Sequence, residues 1–440
     1  MSALLGALRA APAAATALVV GFSGGRDSTA LLHALAQLSP AALPLRAIHV
    51  CHHLQPQAQA WAEHCAARCA EWQVAFTRLD VDVVDTGHGV EAAARTTRYG
   101  AIAQTLRPGE VLVTAHHARD QAETFLLQAL RGAGVKGLAA MPAYAEFGHG
   151  GHWRPWLAID DAQIDAYVSD NRLSWIEDPS NADPAVDRSY LRASILPALS
   201  ARWPAFARTL ARSAQHAAQA ADSIAALAAE DLAAAEDDAR ALRCDDLRSF
   251  DARRRCEVIR LWLARSGRDR PDHRHLEQIE ALVDARMAAS PCVCFAHTDV
   301  RAFDDRLFCM PSLPAEPTGA SLAWYPPQPL ELPAGCGRLT IASAAEKLAA
   351  LTVTFRRGGE RLGAADDAPR LKEWLRVARI PPWIRERMPL VYAGDTLVAV
   401  AHYWRHPEFE RLLGGAAGPV RWDHELPGEP ARVVAAEPFG

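Results

Sequence analysis

Ser23-Gly24-Gly25-Arg26-Asp27-Ser28 puts two glycines, two hydroxyls and a carboxylate between an apolar run at residues 17–22 and a helical pattern at residues 28–38. Glycines let a backbone approach a phosphate without Cβ clashes, and the free N–H groups and dipole of a helix start favour an anion there. The stretch has no lysine, so it is not a Walker loop, which needs G-x-x-x-x-G-K-[ST]. Asp27 repels bare phosphate, so a divalent cation between the two is the natural expectation. The same six residues would also serve as a capped turn, with Asp27 or Ser28 as the N-cap. Their place in the fold must decide.

A second cluster follows another apolar run: Val113-Thr114-Ala115-His116-His117-Ala118-Arg119-Asp120-Gln121-Ala122-Glu123-Thr124. His116, Asp120 and Glu123 are four and three residues apart, so on a helix they would share one face. Clustered carboxylates can bind magnesium or orient an amine, and a histidine can contact phosphate or relay a proton. A capped, solvated helix start would explain the acids equally well.

The elements that must position these groups alternate over the first two hundred residues. Strands are expected at 17–22, 45–51, 74–79 and 111–115, and helices at 28–38, 58–72, 90–106 and 120–130. This βαβα order implies a parallel sheet with right-handed crossovers. Ligands of such sheets bind at the carboxyl ends of the strands, where both clusters fall. From about 201 to 286 strand signals vanish and alanine-rich helical spacing takes over. A proline-rich stretch from Pro311 to Pro329 reads as a linker. Beyond it, strands at 339–341, 352–355 and 397–401 around a helix at 371–378 suggest a small α+β unit. The expected class is therefore α/β, with an N-terminal catalytic domain (1–200), a helical middle domain (201–315), and a linker with an α+β C-terminal domain (316–440).

Composition narrows the partners. The chain has 440 residues, of which 50% are hydrophobic and 22% charged, which excludes a largely disordered protein. Its apolar runs are too short for a bilayer and a cleavable-signal layout is lacking, so a cytoplasmic protein without a membrane partner is expected. Nine scattered cysteines with no C-x-x-C pair argue against a disulfide framework, zinc ribbons and persulfide relays. The net charge of -5 offers no global attraction for a polyanion, so nucleic acid must be held locally. Two net-positive stretches, 240–274 and 356–387, rely almost wholly on arginine, which can fork onto phosphate. Trp374, Trp383 and Trp404 near the second stretch suit either base stacking or a core.

SGGRDS, then HVCHHL (49–54), GVEAAARTTRY (89–99) and TAHHARDQAETFLLQALRGAGVKGLAAM (114–141) resemble the PP-loop, or N-type, ATP pyrophosphatases. WIEDPSNADPAVDRSYLRASILPAL (175–199), FRRGGERL (355–362) and LKEWLRVARIPPWIRERMPLVYAGDTLVAVA (371–401) extend the likeness to the tRNA(Ile)-lysidine synthetase family. That resemblance implies ATP as substrate, magnesium as cofactor, and as partners an isoleucine tRNA with a CAU anticodon and free L-lysine. It also admits a homodimer. The implied reaction adenylates C2 of the wobble cytidine and lets lysine displace AMP, changing codon reading from AUG to AUA.

Carried over by motif, Ser23, Gly24, Gly25, Arg26, Asp27 and Ser28 bind ATP, and Asp27 with Asp120 holds magnesium. His116, Asp120 and Glu123 serve the lysine region, Arg95 or Arg98 the leaving pyrophosphate, and Arg188 and Arg192 the activated base. Arg356, Arg357, Arg361, Lys372, Arg385 and Arg387 are the expected tRNA contacts. The chain departs from the family pattern at Arg119, where an acid is usual, at His53 for a glycine, and at Ser189 for an asparagine. A tRNA thiolase would share the adenylation but needs cysteines close to the site. A nucleotide-gated RNA-binding protein without turnover is the remaining alternative.

Overall fold

The computed structural model describes residues 3–38, 43–52, 55–83, 90–177, 187–285, 291–341, 350–363, 365, 367–412 and 420–429. His53, Gly89 and residues 178–186 of the later motif lie outside them. The chain divides into two compact units, 1–223 and 224–440.

The first unit opens with α1 (Ala3–Leu8), β1 (Ala17–Gly21), α2 (Arg26–Leu38), β2 (Leu45–Cys51), α3 (Ala58–Glu71) and β3 (Ala75–Asp80). It continues with α4 (Val90–Thr105), β4 (Glu110–Val113), α5 (Ala118–Leu130), α6 (Val135–Leu138), β5 (Tyr144–Phe147), β6 (Gly150–Trp153) and α7 (Asp161–Asp170). Then come α8 (Asp187–Tyr190), a π-helical turn (Leu191–Ile195), α9 (Leu196–Arg202) and the long α10 (Phe206–Ala235), within which the division between the units falls.

The sheet order is β3-β2-β1-β4-β6-β5, parallel except for β5. Helices cover both faces, so the central strands must be apolar throughout, as the fully buried Val19, Val20, Leu112 and Val113 are. Glu110 enters β4 buried because Arg46 grips both its oxygens, at 3.0 and 2.6 Å, and the Arg107 N–H donates at 2.9 Å. The chain winds from β1 to β3 on one side and returns through β4 on the other. The carboxyl ends of β1 and β4 thus flank the point where strand order reverses, the ligand crevice of open α/β sheets.

The second unit first packs α11 (Cys244–Ser249), α12 (Ala252–Arg265) and α13 (His273–Val283) around Trp262, Ile279 and Leu307. Four strands join them in the order β7-β10-β9-β8: β7 (Leu242–Arg243), β8 (Cys292–Phe295), β9 (Thr298–Phe303) and β10 (Arg306–Pro311). The expected helical stretch thus also carries four strands, each of six residues or fewer and too short for periodicity to separate from the strong helical patterns beside it.

A second sheet, β11-β14-β15-β16-β17, is antiparallel throughout and comprises β11 (Ser321–Trp324), β14 (Leu351–Thr354), β15 (Leu390–Ala393), β16 (Thr396–Val400) and β17 (Trp404–Arg405). Beside it lie β12 (Leu330–Glu331), β13 (Arg338–Ile341) and β18 (Val420–Asp423), with α14 (Leu371–Val377), α15 (Pro382–Arg385) and α16 (Pro407–Leu412). The proline-rich stretch is not a bare linker. Its residues 321–324 form edge strand β11, and Trp324 is buried in the core with its indole N–H on the Gln328 carbonyl at 2.7 Å. Pro317, Pro326 and Pro327 are tolerated because they flank an edge strand, and Pro311 because it is the last residue of β10.

Candidate active site at the carboxyl ends of β1 and β4

The turn from β1 into α2 is held by its own hydroxyls. Ser23 Oγ meets Ser28 Oγ at 3.0 Å and accepts the Gly25 N–H at 3.3 Å, while Ser28 Oγ donates to the Gly25 carbonyl at 3.0 Å. Gly24 has φ +84°, and a Cβ there would stand 2.7 Å from Ile176 Cδ1 and 2.9 Å from Cys65 Sγ. Gly24 is therefore required by the fold. Gly25 is different: its Cβ would meet only Ser23 Oγ, at 3.5 Å, so this glycine leaves open space before the helix start.

The β4–α5 turn presents the facing groups. His117 is the N-cap of α5: its Nδ1 accepts the Arg119 N–H at 3.2 Å, and Asp120 Oδ2 accepts the His117 N–H at 3.1 Å. Accepting at Nδ1 leaves the proton on Nε2, which faces Asp27 Oδ2 and Asp120 Oδ2, each at 3.6 Å, and Asp161 Oδ1 at 3.7 Å. Burial opposes a charge on His117, but its hydrogen bond to Asp27 and the fields of Asp120, Asp27 and Asp161 outweigh it and raise its pKa. Burial likewise works against the Asp27 carboxylate, yet His117 and Arg26 hold it below the usual range, so Asp27 is ionised at neutral pH.

His116 does not share a helical face with Asp120 and Glu123, because α5 begins only at Ala118. It belongs to a hydrogen-bonded chain instead. Arg154 Nη2 donates to His152 Nδ1 at 2.9 Å; Thr114 Oγ1 then lies 2.8 Å from His152 Nε2 and 2.8 Å from His116 Nδ1. Since arginine can only donate, the direction propagates: His152 Nε2–H donates to Thr114, and the Thr114 hydroxyl donates to His116 Nδ1. His116 accordingly carries its proton on Nε2. Burial, with nearby arginines, pushes the pKa of His116 down to about 4 and that of His152 to about 3, so both are neutral donors at physiological pH.

Glu123 is fully buried beneath arginines: Arg192 Nε donates to Oε1 at 2.7 Å, Arg188 Nε lies 3.4 Å from Oε2, and Arg119 Nε is 4.0 Å from Oε1. Arg192 also bonds Asp120 Oδ1 at 3.0 Å, and Arg188 reaches Thr124 Oγ1 at 2.8 Å. Glu123 thereby fixes the two arginines that the motif assigns to the activated base. Arg95 is exposed, with its guanidinium 5.1 Å from the Tyr99 ring, and Arg98 Nε reaches His52 Nε2 at 3.3 Å.

Arg26 does not point freely into the crevice. It bonds Asp27 Oδ1 at 2.8 Å, Asp165 Oδ1 at 2.6 Å, and Asp161. Asp161 also accepts from Arg119 Nη1 at 3.3 Å. The single residue at which the chain departs from an acidic pattern is thus tied to an acid arriving from α7.

Three family models match in chain order: a PP-loop domain over residues 5–199, the TilS substrate binding domain over 242–308, and the TilS substrate C-terminal domain over 351–422. The tRNA(Ile)-lysidine synthase of Serratia proteamaculans (strain 568) is 40% identical over 393 residues, spanning 87% of this chain and 90% of its own length. That of Alkalilimnicola ehrlichii is 41% identical over 401 residues, 88% of this chain and 90% of the relative, and that of Pseudomonas aeruginosa is 41% identical over 396 residues, 87% and 89%. The chain belongs to the tRNA(Ile)-lysidine synthase family. With the PP-loop domain comes use of ATP.

His117 and Asp161 were not singled out in the sequence, although they complete the crevice of this lysidine synthase family member. Asp27, His117 and Asp161 bring one ligand atom each within 4.8 Å of the others. The donor set suits magnesium in part: carboxylate oxygens are its usual protein ligands, whereas imidazole is not. Both oxygens of Asp120 are occupied, by Arg192 and by the His117 N–H. Both oxygens of Asp161 are likewise taken, by Arg26 and Arg119, so Asp161 joins Asp27 by its position in this cluster and not by free acceptors.

The expected tRNA contacts in the second unit separate by burial. Arg387 is 4% exposed and donates to the Trp383 and Pro314 carbonyls at 3.4 and 2.6 Å, so its charge is used inside the fold. Arg385 bonds the Ile380 carbonyl, and Arg361 the Ala368 carbonyl at 2.7 Å. Arg357 and Lys372 are exposed. Arg356 and Arg357 line a cavity of about 240 Å³ with Glu316, Thr318, Phe355, Gly358 and Glu386. Trp374 and Trp383 are core residues, and half-buried Trp404 packs against that core. In the 240–274 stretch Arg243, Arg248, Arg254, Arg255, Arg260 and Arg265 all pair with acids, so much of its positive charge is spent within the unit. Among the described residues no helix is long and apolar enough to cross a membrane.

Proposed function

We propose that this chain joins free L-lysine to C2 of the wobble cytidine in a CAU-anticodon isoleucine tRNA, through an adenylated tRNA and in the cytoplasm. The observation that carries the reading is the convergence, at one strand-order reversal, of an open glycine turn after β1 and a capped, carboxylate-lined turn after β4. Family membership supplies the reaction class.

In the first step the cytidine O2 attacks the α-phosphorus of ATP and pyrophosphate leaves. The N–H groups at the start of α2, with Ser23 and Ser28, hold the outer phosphates, and Gly25 lets them approach. Magnesium, held by Asp27 and Asp161, would offset the charge that builds on pyrophosphate. His116, locked as an Nε2–H donor, gives a further hydrogen bond to a phosphate or oxyanion at a preorganised position. Arg95 adds positive charge near the leaving group.

In the second step the lysine ε-ammonium gives a proton to solvent, the free amine attacks C2, and the C2–O bond breaks so that AMP leaves. Asp120 is the acid that meets the ammonium. Glu123 acts by positioning Arg188 and Arg192 at the activated base. The division at 1–200, 201–315 and 316–440 then reads as one catalytic and two tRNA-contacting parts, with Arg356, Arg357 and Lys372 as the phosphate contacts of the last.

Incubation of the purified chain with ATP, magnesium, radiolabelled lysine and unmodified isoleucine CAU tRNA tests the proposal. Label in the tRNA with stoichiometric AMP supports it. Sulfur-dependent modification, or tRNA binding with no AMP release, would assign the chain another activity.

A further inference from the structure

Strands β8 and β9 pair antiparallel, with Cys292 opposite Arg301 and Cys294 opposite Asp299. Side chains two apart on a strand share a face, so these four residues form a patch. There the two sulfurs are 3.3 Å apart, and they and an Asp299 carboxylate oxygen all lie within 4.8 Å of one another. Both cysteines are exposed, whereas Asp299 is 4% exposed. We propose that Cys292, Cys294 and Asp299 bind a soft divalent cation of the zinc or cadmium type, with solvent completing the coordination.

The donor chemistry selects the ion. Two sulfurs and a carboxylate suit zinc or cadmium and reject magnesium or calcium. Sulfurs about 2.3 Å from a shared tetrahedral zinc sit about 3.8 Å apart, a small opening from the observed contact. Asp299 is already oriented: Ser312 Oγ bonds Oδ1 at 3.0 Å and Arg301 Nη2 bonds Oδ2 at 2.9 Å. Such outer partners fix a ligand's direction in metal sites. Charge also closes, because two thiolates and a carboxylate are balanced by a divalent ion and Arg301. On binding, two S–H bonds break, both protons leave to solvent, and two metal–sulfur bonds form.

Strand geometry speaks against a disulfide between the same residues. Positions two apart on a strand lie about 6.5 Å apart at Cα, and their parallel side chains keep the Cβ atoms near that spacing. A disulfide needs Cβ atoms about 3.5–4.5 Å apart, so β8 would have to buckle. A metal ion bridges the sulfurs without moving the backbone.

Cadmium titration of the reduced full chain, followed by thiolate-to-cadmium absorption in the ultraviolet and by the melting temperature, tests the proposal. The wild type should show a two-thiolate band saturating at one equivalent and a raised melting temperature. Cys292→Ser/Cys294→Ser should lose both effects while keeping the metal-free melting temperature. Asp299→Asn should keep the band with at least about tenfold weaker binding. An unchanged band in the double variant, or no band in the wild type, would overturn the site. If the double variant melts early without metal, the wild-type band decides alone, and single-thiolate intensity contradicts the assignment.

Discussion

Nε2 of His117 stands 3.6 Å from Oδ2 of Asp27, so the N-cap of the helix after β4 faces the first turn of the helix after β1. The two ligand-facing turns of the sheet therefore form one electrostatic unit. Asp27 is kept ionised by His117 and Arg26 even though burial opposes it. Removing that carboxylate by Asp27→Asn should lower adenylation by at least about a hundredfold, the scale of a lost electrostatic group in an active site. Binding of tRNA should persist. ATP-dependent adenylation and filter binding, measured on the same preparation, check both halves.

The two glycines of the turn should respond differently to alanine. Gly24→Ala places a Cβ against Ile176 and Cys65 at positive φ and should cost about 1–3 kcal/mol of stability. Gly25→Ala meets no such obstruction. It should fold normally yet bind ATP more weakly, because the new methyl stands where phosphate approaches. Chemical denaturation and calorimetric titration with ATP separate the two effects.

Much of this was legible in the sequence, and the rest was hidden for physical reasons. The βαβα order, the glycine turn and the strands around residues 371–378 were readable because strand and helix periods differ and the turn residues are distinctive. Asp161 was not, because nothing local links it to Asp27. It is brought in by the bond from the Ala118 N–H to the Ile159 carbonyl, at 3.0 Å, and by Arg26 and Arg119. His117 was visible but its neighbour took the role, since counting i, i+4 from His116 assumes a helix that starts two residues later. Arg387 read as a surface charge because composition cannot show that it is buried on two carbonyls.

The chain from Arg154 to His116 predicts a positioning effect. Thr114→Val keeps the shape but removes the hydroxyl that donates to His116 Nδ1. The adenylation rate should drop about tenfold to a hundredfold with little change in KM for ATP. Nitrogen NMR of His116 should show the proton no longer confined to Nε2. An unaltered tautomer would remove the basis for this chain.

Stability should depend on pH through the same histidines. Folded His152 and His116 have pKa values depressed to about 3 and 4, against about 6.5 in the unfolded chain. The unfolded state then binds more protons between these limits, so stability is fully present above about pH 6.5 and declines as pH falls through the folded values. His152→Gln should shallow that decline. Denaturant midpoints from pH 7.5 down to pH 4.5 give the slope.

Glu123→Gln should loosen Arg188 and Arg192 together. Breaking a buried carboxylate from partly exposed arginines should cost about 2–3 kcal/mol. Lysine transfer should be impaired in proportion to the misplacement of those arginines. Melting curves and single-turnover lysine incorporation check the two consequences.

The sharpest test of the account follows the α-phosphate of ATP in the absence of lysine. With label in that phosphate, magnesium and the isoleucine CAU tRNA, the label should move onto the tRNA as pyrophosphate appears, and added lysine should release it as AMP. If the label never enters the tRNA, or lysine fails to discharge it, the turn after β1 does not deliver a nucleotidyl group to the wobble cytidine and the account is contradicted.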